Sequence, residues 1–141
     1  FAHFHPGGSL GKRLLLQVNE IMHCGDALPY LTPDTPLDQA IITITQKRLG
    51  IGVIVEDNTL LGIFTDGDLR RALQTTLDLS GRTVNEVMTP NPFTLPMRTL
   101  AHHALLQMQQ RKITSIIITN DLQQPEGVIH LHDLLEAGLT Q

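Results

Sequence analysis

Apolar residues recur along the chain in two spacings, and the two spacings alternate. Leu37, Ala40, Ile41 and Ile44 fall at i, i+3, i+4 and i+7, which gathers them on one face of a helix. Thr35 stands where an N-cap belongs, Pro36 suits the first helical position, and Gly50 suits the helix end. Val53-Ile54-Val55 is a short β-branched run of the kind that fills a buried strand. Asp57-Asn58 predicts a turn, Leu60 to Phe64 the next strand, and Asp66 the start of a helix carrying Leu69, Ala72 and Leu73. The same succession returns downstream. Leu100, Ala104 and Met108 line a helix, and Ile116-Ile117-Ile118 reads as a buried strand. Asp121 to Pro125 forms a hairpin loop, Val128-Ile129 the partner strand, and Leu131 to Ala137 a last helix.

The recurrence extends to the residues themselves. Val18-Asn19-Glu20-Ile21-Met22 returns as Val84-Asn85-Glu86-Val87-Met88, and Pro29-Tyr30 as Pro92-Phe93. Ala40 matches Ala104, Gly62-Ile63-Phe64 matches Gly127-Val128-Ile129, and Asp68-Leu69 matches Asp133-Leu134. The offset drifts by no more than three residues, as small loop changes require, so the chain is read as two copies of one β-α-β-β-α unit. Thr75 to Thr83, polar and holding Gly81, is the linker. One copy alone is too small to bury much core, which predicts that the two copies pack together. The expected fold class is α/β, a tandem pair with pseudo-twofold symmetry, with repeats over residues 18–76 and 84–141 and a leading segment over residues 1–17.

Composition narrows the classes of partner. Aromatics are 4% of the residues and Trp is absent, so the core is aliphatic. A formal net charge of −4 argues against nucleic acid, which calls for a basic patch. No apolar run approaches the ~20 residues of a membrane span. Cys24 is the single cysteine, so no internal disulfide is possible and a reducing, cytoplasmic setting is expected. The segment Phe1 to Gly11 lacks the apolar stretch of a signal peptide, and the chain opens without Met. It is therefore read as a piece of a longer protein.

The residues now carry a resemblance. Gly62-Ile63-Phe64-Thr65-Asp66-Gly67-Asp68-Leu69-Arg70-Arg71 resembles the third strand and second helix of a CBS domain. So do the two Val-Asn-Glu openings and Lys112-Ile113-Thr114-Ser115-Ile116 at the entry to a strand. Residues 1–16, with His5-Pro6-Gly7-Gly8, resemble the end of a SIS sugar-isomerase domain, and Thr65 to Arg71 is similar to the D-arabinose 5-phosphate isomerases that join SIS to a CBS pair. The resemblance implies a parent enzyme that interconverts ribulose 5-phosphate and arabinose 5-phosphate and so feeds synthesis of Kdo, a sugar of lipopolysaccharide and some capsules. It implies that this chain is the regulatory pair, not itself an enzyme and requiring no cofactor. The implied partners are the SIS domain of the same chain and a second CBS pair.

Candidate chemistry comes with that likeness. His5 belongs by resemblance to the parent's isomerase site, where a group titrating near neutrality suits aldose–ketose proton transfer. In CBS domains the strand-to-helix corner holds a nucleotide. An Asp accepts the ribose hydroxyls, and a Thr hydroxyl with helix amides receives phosphate. This implies Thr65 and Asp68 in the first copy, and Asp133 in the second, where His130 replaces Thr. A second reading leaves Thr65 and Asp68 as helix caps, in a purely structural oligomerisation module without ligand. Adenosine nucleotides, AMP or ATP, are the default ligands. CMP-Kdo, the activated end product, carries the same ribose and phosphate, and Arg70, Arg71 and Lys112 are candidate partners for its carboxylate. The strand entries Gly50 to Val53 and Thr114 to Ile116 offer an apolar slot for a base.

Other signals fail on spacing. Gly7-Gly8-Ser9-Leu10-Gly11-Lys12 lacks the Gly spacing and the Ser or Thr of a phosphate loop, and reads as a turn into a linker helix. Asp66-Gly67-Asp68 lacks a calcium loop's distal Glu. His3/His5, His102/His103 and His130/His132 have no Cys or Glu placed to complete a metal set, so no metal is expected.

Overall fold

In the computed structural model, residues 10–75 and 78–139 are described. They fall into two compact units. Unit one joins the described residues up to Cys24 with those from Phe93 onward, and unit two is the described part of Gly25–Pro92.

Unit two contains β2 (Tyr30–Leu31), α2 (Leu37–Lys47), β3 (Ile51–Glu56), β4 (Thr59–Thr65), α3 (Asp66–Thr75) and β5 (Thr89–Pro90). Unit one contains α1 (Leu10–Leu15), β1 (His23–Cys24), β6 (Thr94–Pro96), α4 (Ala101–Arg111), β7 (Ser115–Thr119), β8 (Pro125–His130) and α5 (Leu131–Glu136). The sheets run β2-β3-β4-β5 and β1-β8-β7-β6. In each, the first pair flanking a helix is parallel, β2 with β3 and β6 with β7, as a helical crossover demands. The hairpins β3–β4 and β7–β8 are antiparallel.

The edge strands change copies. β1, from the opening of the first repeat, pairs antiparallel with β8 of the second, while β5, from the opening of the second repeat, pairs with β4 of the first. The repeated motif explains how each opening is seated. Val18 and Val84 are fully buried, one in each core. Glu20 accepts the Gln17 amide at 2.8 Å, and Glu86 accepts the Thr83 amide at 2.9 Å, each capping a single 3-10 turn. That bond holds the Glu86 carboxyl below its ordinary range. The matching glycines make room for the edge strands. A Cβ on Gly62 would stand 2.7 Å from the Thr89 carbonyl oxygen and 2.8 Å from Met88 Sδ. One on Gly127 would stand 2.9 Å from the His23 carbonyl oxygen and meet Met22 Sδ. Only glycine lets the edge strand lie this close.

Turn chemistry agrees with the sequence at the first hairpin. Asp57 and Asn58 both have positive φ, 52° and 63°, as a two-residue hairpin turn of matching twist requires. The second hairpin is longer, and Asn120 organises it by accepting the Leu122 and Gln124 amides on Oδ1 at 2.9 and 3.0 Å.

Three expectations are corrected. Thr35 does not cap α2. Pro36 is the N-cap residue, and the Leu37 amide instead donates to the Arg82 carbonyl at 2.9 Å. Thr35 Oγ1 accepts the Thr32 amide and closes the turn before the helix. Gly50 does not end α2 either. Arg48 takes the left-handed conformation, as Lys112 does after α4, with a cation placed favourably at the negative helix end. Leu100 is the N-cap of α4 and exposed, and the buried face is Ala101, Ala104, Leu105 and Met108. Among the described residues no helix is long and apolar enough to cross a membrane.

Candidate functional site

The two strand-to-helix corners are built alike and finished differently. In unit two, β4 ends at Thr65 and α3 begins at Asp66, which places Asp68 one turn in, with its side chain turned back to the strand end. Asp68 Oδ2 accepts the Thr65 amide at 2.8 Å and the Thr65 hydroxyl at 3.1 Å. The Asp68 amide in turn donates to Thr65 Oγ1 at 3.3 Å. Oδ1 accepts the Thr89 hydroxyl at 2.7 Å and the Arg71 guanidinium. The Asp68 side chain is 2% exposed, whereas Arg71 is 65% exposed. A charge this deep persists because all its bonds are made.

In unit one the same corner joins β8 to α5. Asp133 Oδ2 accepts the His130 amide at 2.8 Å, and Oδ1 accepts His23 Nε2 at 2.8 Å. His130 does the capping work of Thr65: its Nδ1 accepts the His132 amide at 3.0 Å. Nδ1 is thereby an acceptor, and the neutral ring carries its proton on Nε2. The Asp133 side chain is 14% exposed.

The structure thus brings Thr65 to Asp68 and His130 to Asp133, in separate units. His5 and His3 lie outside the described residues. Arg71 spends its guanidinium on Asp68, Arg70 is exposed, and Lys112 is the exposed cap of α4. Of the proposed base slots, Ile51, Val53 and Ile116 are buried, and the Thr114 carbonyl accepts the Leu131 amide. His130 and His132 do not share a strand face, since residue 132 is already in α5, where it pairs with Glu136 at 3.2 Å. Among the described residues no three His, Cys, Asp or Glu converge as a metal would require.

Sequence reasoning missed two residues that complete the corners, His23 and Thr89. Each comes directly after the methionine of the repeated motif, and each reaches the corner aspartate beside it on the sheet. The signal was available: the repeat, carried one residue past Met22 and Met88, aligns His23 with Thr89, both hydrogen-bond donors.

Residues 18–75 and 84–140 each match the CBS domain family. The chain is 46% identical to arabinose 5-phosphate isomerase KdsD of Escherichia coli K12 over 140 residues, covering 99% of this chain and 42% of that protein. It therefore spans about two fifths of the length of that relative. Among solved structures, CBSX2 in complex with AMP superposes with a TM-score of 0.75 at 22% identity, over 87% of this chain and 96% of that one. The CBS domain of a bacterial CNNM/CorC family Mg2+ transporter in complex with ATP gives 0.75 at 21% identity, over 91% and 90%. At those identities the likeness is one of fold.

Proposed function

This chain belongs to the CBS domain family, and we propose that it is the ligand-sensing regulatory pair of an arabinose 5-phosphate isomerase. The observation that carries the isomerase assignment is the 46% identity to KdsD across nearly the whole chain. In this reading the parent interconverts ribulose 5-phosphate and arabinose 5-phosphate in a SIS domain, with His5 at its site. The parent works in the cytoplasm, and the pair sends a metabolic signal to that domain. The chain by itself turns over no sugar phosphate. The pair self-associates through apolar side chains such as Leu73 and Leu135, both of which stand exposed.

The ligand is a nucleotide or nucleotide-sugar held at the aspartate corners, Thr65/Asp68 and His130/Asp133. What supports this is chemistry: a strand-end carboxylate can accept ribose hydroxyls, and AMP and ATP occupy CBS domains of the same fold. An isomerase at the head of a pathway gains from sensing its end product, so CMP-Kdo stands beside AMP and ATP. One observation favours the rival scaffold reading, in which no ligand binds: the Asp68 carboxylate is already fully bonded inside the protein. Calorimetry with AMP, ATP, CMP and CMP-Kdo decides. Binding of at least one below millimolar supports sensing, and binding of none replaces it with the scaffold.

A further inference from the structure

We propose that the strand-to-helix corner of unit one is a proton-operated joint. Acid releases the start of α5 through His130 and tightens the hold on β1 through His23, while the matching corner of unit two does not respond. This holds whether or not the pair carries a ligand. Histidine is confined to one side of the repeat: the chain has seven, and none lies between Gly25 and Pro92. Cys24 falls outside that range too. Unit two therefore carries no side chain whose ordinary titration lies near neutrality.

The two corners make matching bonds with different residues. In unit two, Thr65 Oγ1 accepts the Asp68 amide at 3.3 Å, and the Thr89 hydroxyl donates to the carboxylate at 2.7 Å. In unit one, His130 Nδ1 accepts the His132 amide at 3.0 Å, and His23 Nε2 lies 2.8 Å from Asp133 Oδ1. A hydroxyl keeps its form throughout the neutral range, and an imidazole does not. Protonation puts a hydrogen on Nδ1 of His130, so the acceptor vanishes and two N–H donors face each other. Helix α5 is six residues long, Leu131–Glu136, and so short a helix leans on its cap and its packing. His23 works in the opposite sense. Neutral or charged, its Nε2–H donates to the Asp133 carboxylate, and the charged ring adds an ion pair. His23 lies on β1, which pairs with β8 beside the corner.

Among the described residues, the elements packed around this corner bring the following further charges. On β8, Glu126 stands near the far end of the strand, where Asn120 Nδ2 donates to it at 2.9 Å. On α5, His132 is exposed and pairs with Glu136 at 3.2 Å. β1 adds only the exposed Cys24. β7 places Ser115 opposite His130 and holds no charged residue. α4, packed on α5, carries His102, His103 and Arg111, followed by Lys112, all exposed. Arg13 lies against Gly138, past the end of α5. The signs follow from which form makes each bond. The His130 cap is made by the neutral ring alone, so its contribution is fully present on the alkaline side of the histidine range. It is lost as pH falls through that range. The His23 contribution grows over the same fall. In the parent chain the two offset each other, and removing one exposes the other.

The test takes the first copy as its template. His130→Thr and His23→Thr install the residues that close the Asp68 corner, and urea unfolding of each is compared with the parent chain at pH about 8 and about 5.5. Between those conditions His130→Thr should gain about fivefold in folding equilibrium constant over the parent chain, because the acid-labile cap is gone. His23→Thr should lose about two- to threefold, a smaller change because that pair is partly exposed. Amide exchange, corrected for the intrinsic effect of pH, locates the response. In the parent chain the α5 amides should exchange about fivefold faster at the acid condition, while those of α3 keep their rates. Nitrogen-15 spectra of the parent chain at the alkaline condition should show the His130 proton on Nε2. Residues with a merely structural role would shift stability equally at both pH values, and that result overturns the proposal. So does an acid response shared by α3, or a His130 ring protonated on Nδ1 at the alkaline condition. Should His130→Thr fail to fold, the tautomer and the exchange rates of the parent chain decide by themselves.

Discussion

Replacing each corner aspartate by alanine compares a deeply buried carboxylate with a more exposed one. Asp68→Ala removes the acceptor of four hydrogen bonds in a site closed to water. The Arg71 guanidinium is largely exposed and returns to solvent, so that ion pair counts for little. The Thr65 amide and the Thr89 hydroxyl are part-buried and lose their partner. A helix cap is worth about 1 kcal/mol, and each part-buried donor left unpaired costs about 1–3 kcal/mol. Together these predict a loss of about 3–7 kcal/mol for Asp68→Ala. Asp133→Ala removes the cap on the His130 amide, while His23, 37% exposed, turns to water. That change costs about 1–2 kcal/mol. For a chain of this length, 1 kcal/mol shifts the midpoint by about 3–4 °C, so thermal unfolding should fall by about 10–28 °C for Asp68→Ala and about 3–8 °C for Asp133→Ala. Circular dichroism melts of the two variants beside the parent chain measure this directly. Equal losses, or a larger one for Asp133→Ala, refute the reasoning, because the more numerous bonds and deeper burial of Asp68 are the reasons the two differ.

The other expectations are structural and quick to check. Gly62→Ala and Gly127→Ala each force an edge strand away from its neighbour and should cost about 1–3 kcal/mol in urea unfolding; the Met88 or Met22 side chain moving aside without loss would contradict the close approach. Glu86 has its carboxyl held down chiefly by the Thr83 amide. Its contribution is therefore fully present above the ordinary glutamate range and is lost as pH falls through the depressed value. Glu86→Gln should flatten the acid limb of the stability profile and leave the limb above neutrality unchanged. Sedimentation of the chain should show at least a dimer, and Leu73→Glu with Leu135→Glu should shift it toward monomer.

Much of the fold is legible in the chain itself. The repeat is spelled out twice, from Val18 and from Val84. The β-branched runs at Val53 and Ile116 sit in the strands they predict, and Asp57-Asn58 forms its turn. These signals are local, set by spacing within a helix turn or a strand, and a chain carries them whether or not it is folded. The cap expected at Thr35 is displaced by a distant backbone: the Arg82 carbonyl takes the amide that a local cap would have served. The corners fail to be legible for the same reason. Thr65 with Asp68, and His130 with Asp133, stand three residues apart and can be paired from sequence. Thr89 reaches Asp68 across 21 residues, and His23 reaches Asp133 across 110. Those contacts exist only because each opening segment crosses to the other copy's sheet, and a donor supplied from there leaves no trace in local periodicity. The sequence alone thus determined the local half of each corner, Thr65 with Asp68 and His130 with Asp133. Which further donor reaches each aspartate was decided by the tertiary structure, because Thr89 and His23 arrive from elsewhere in the chain.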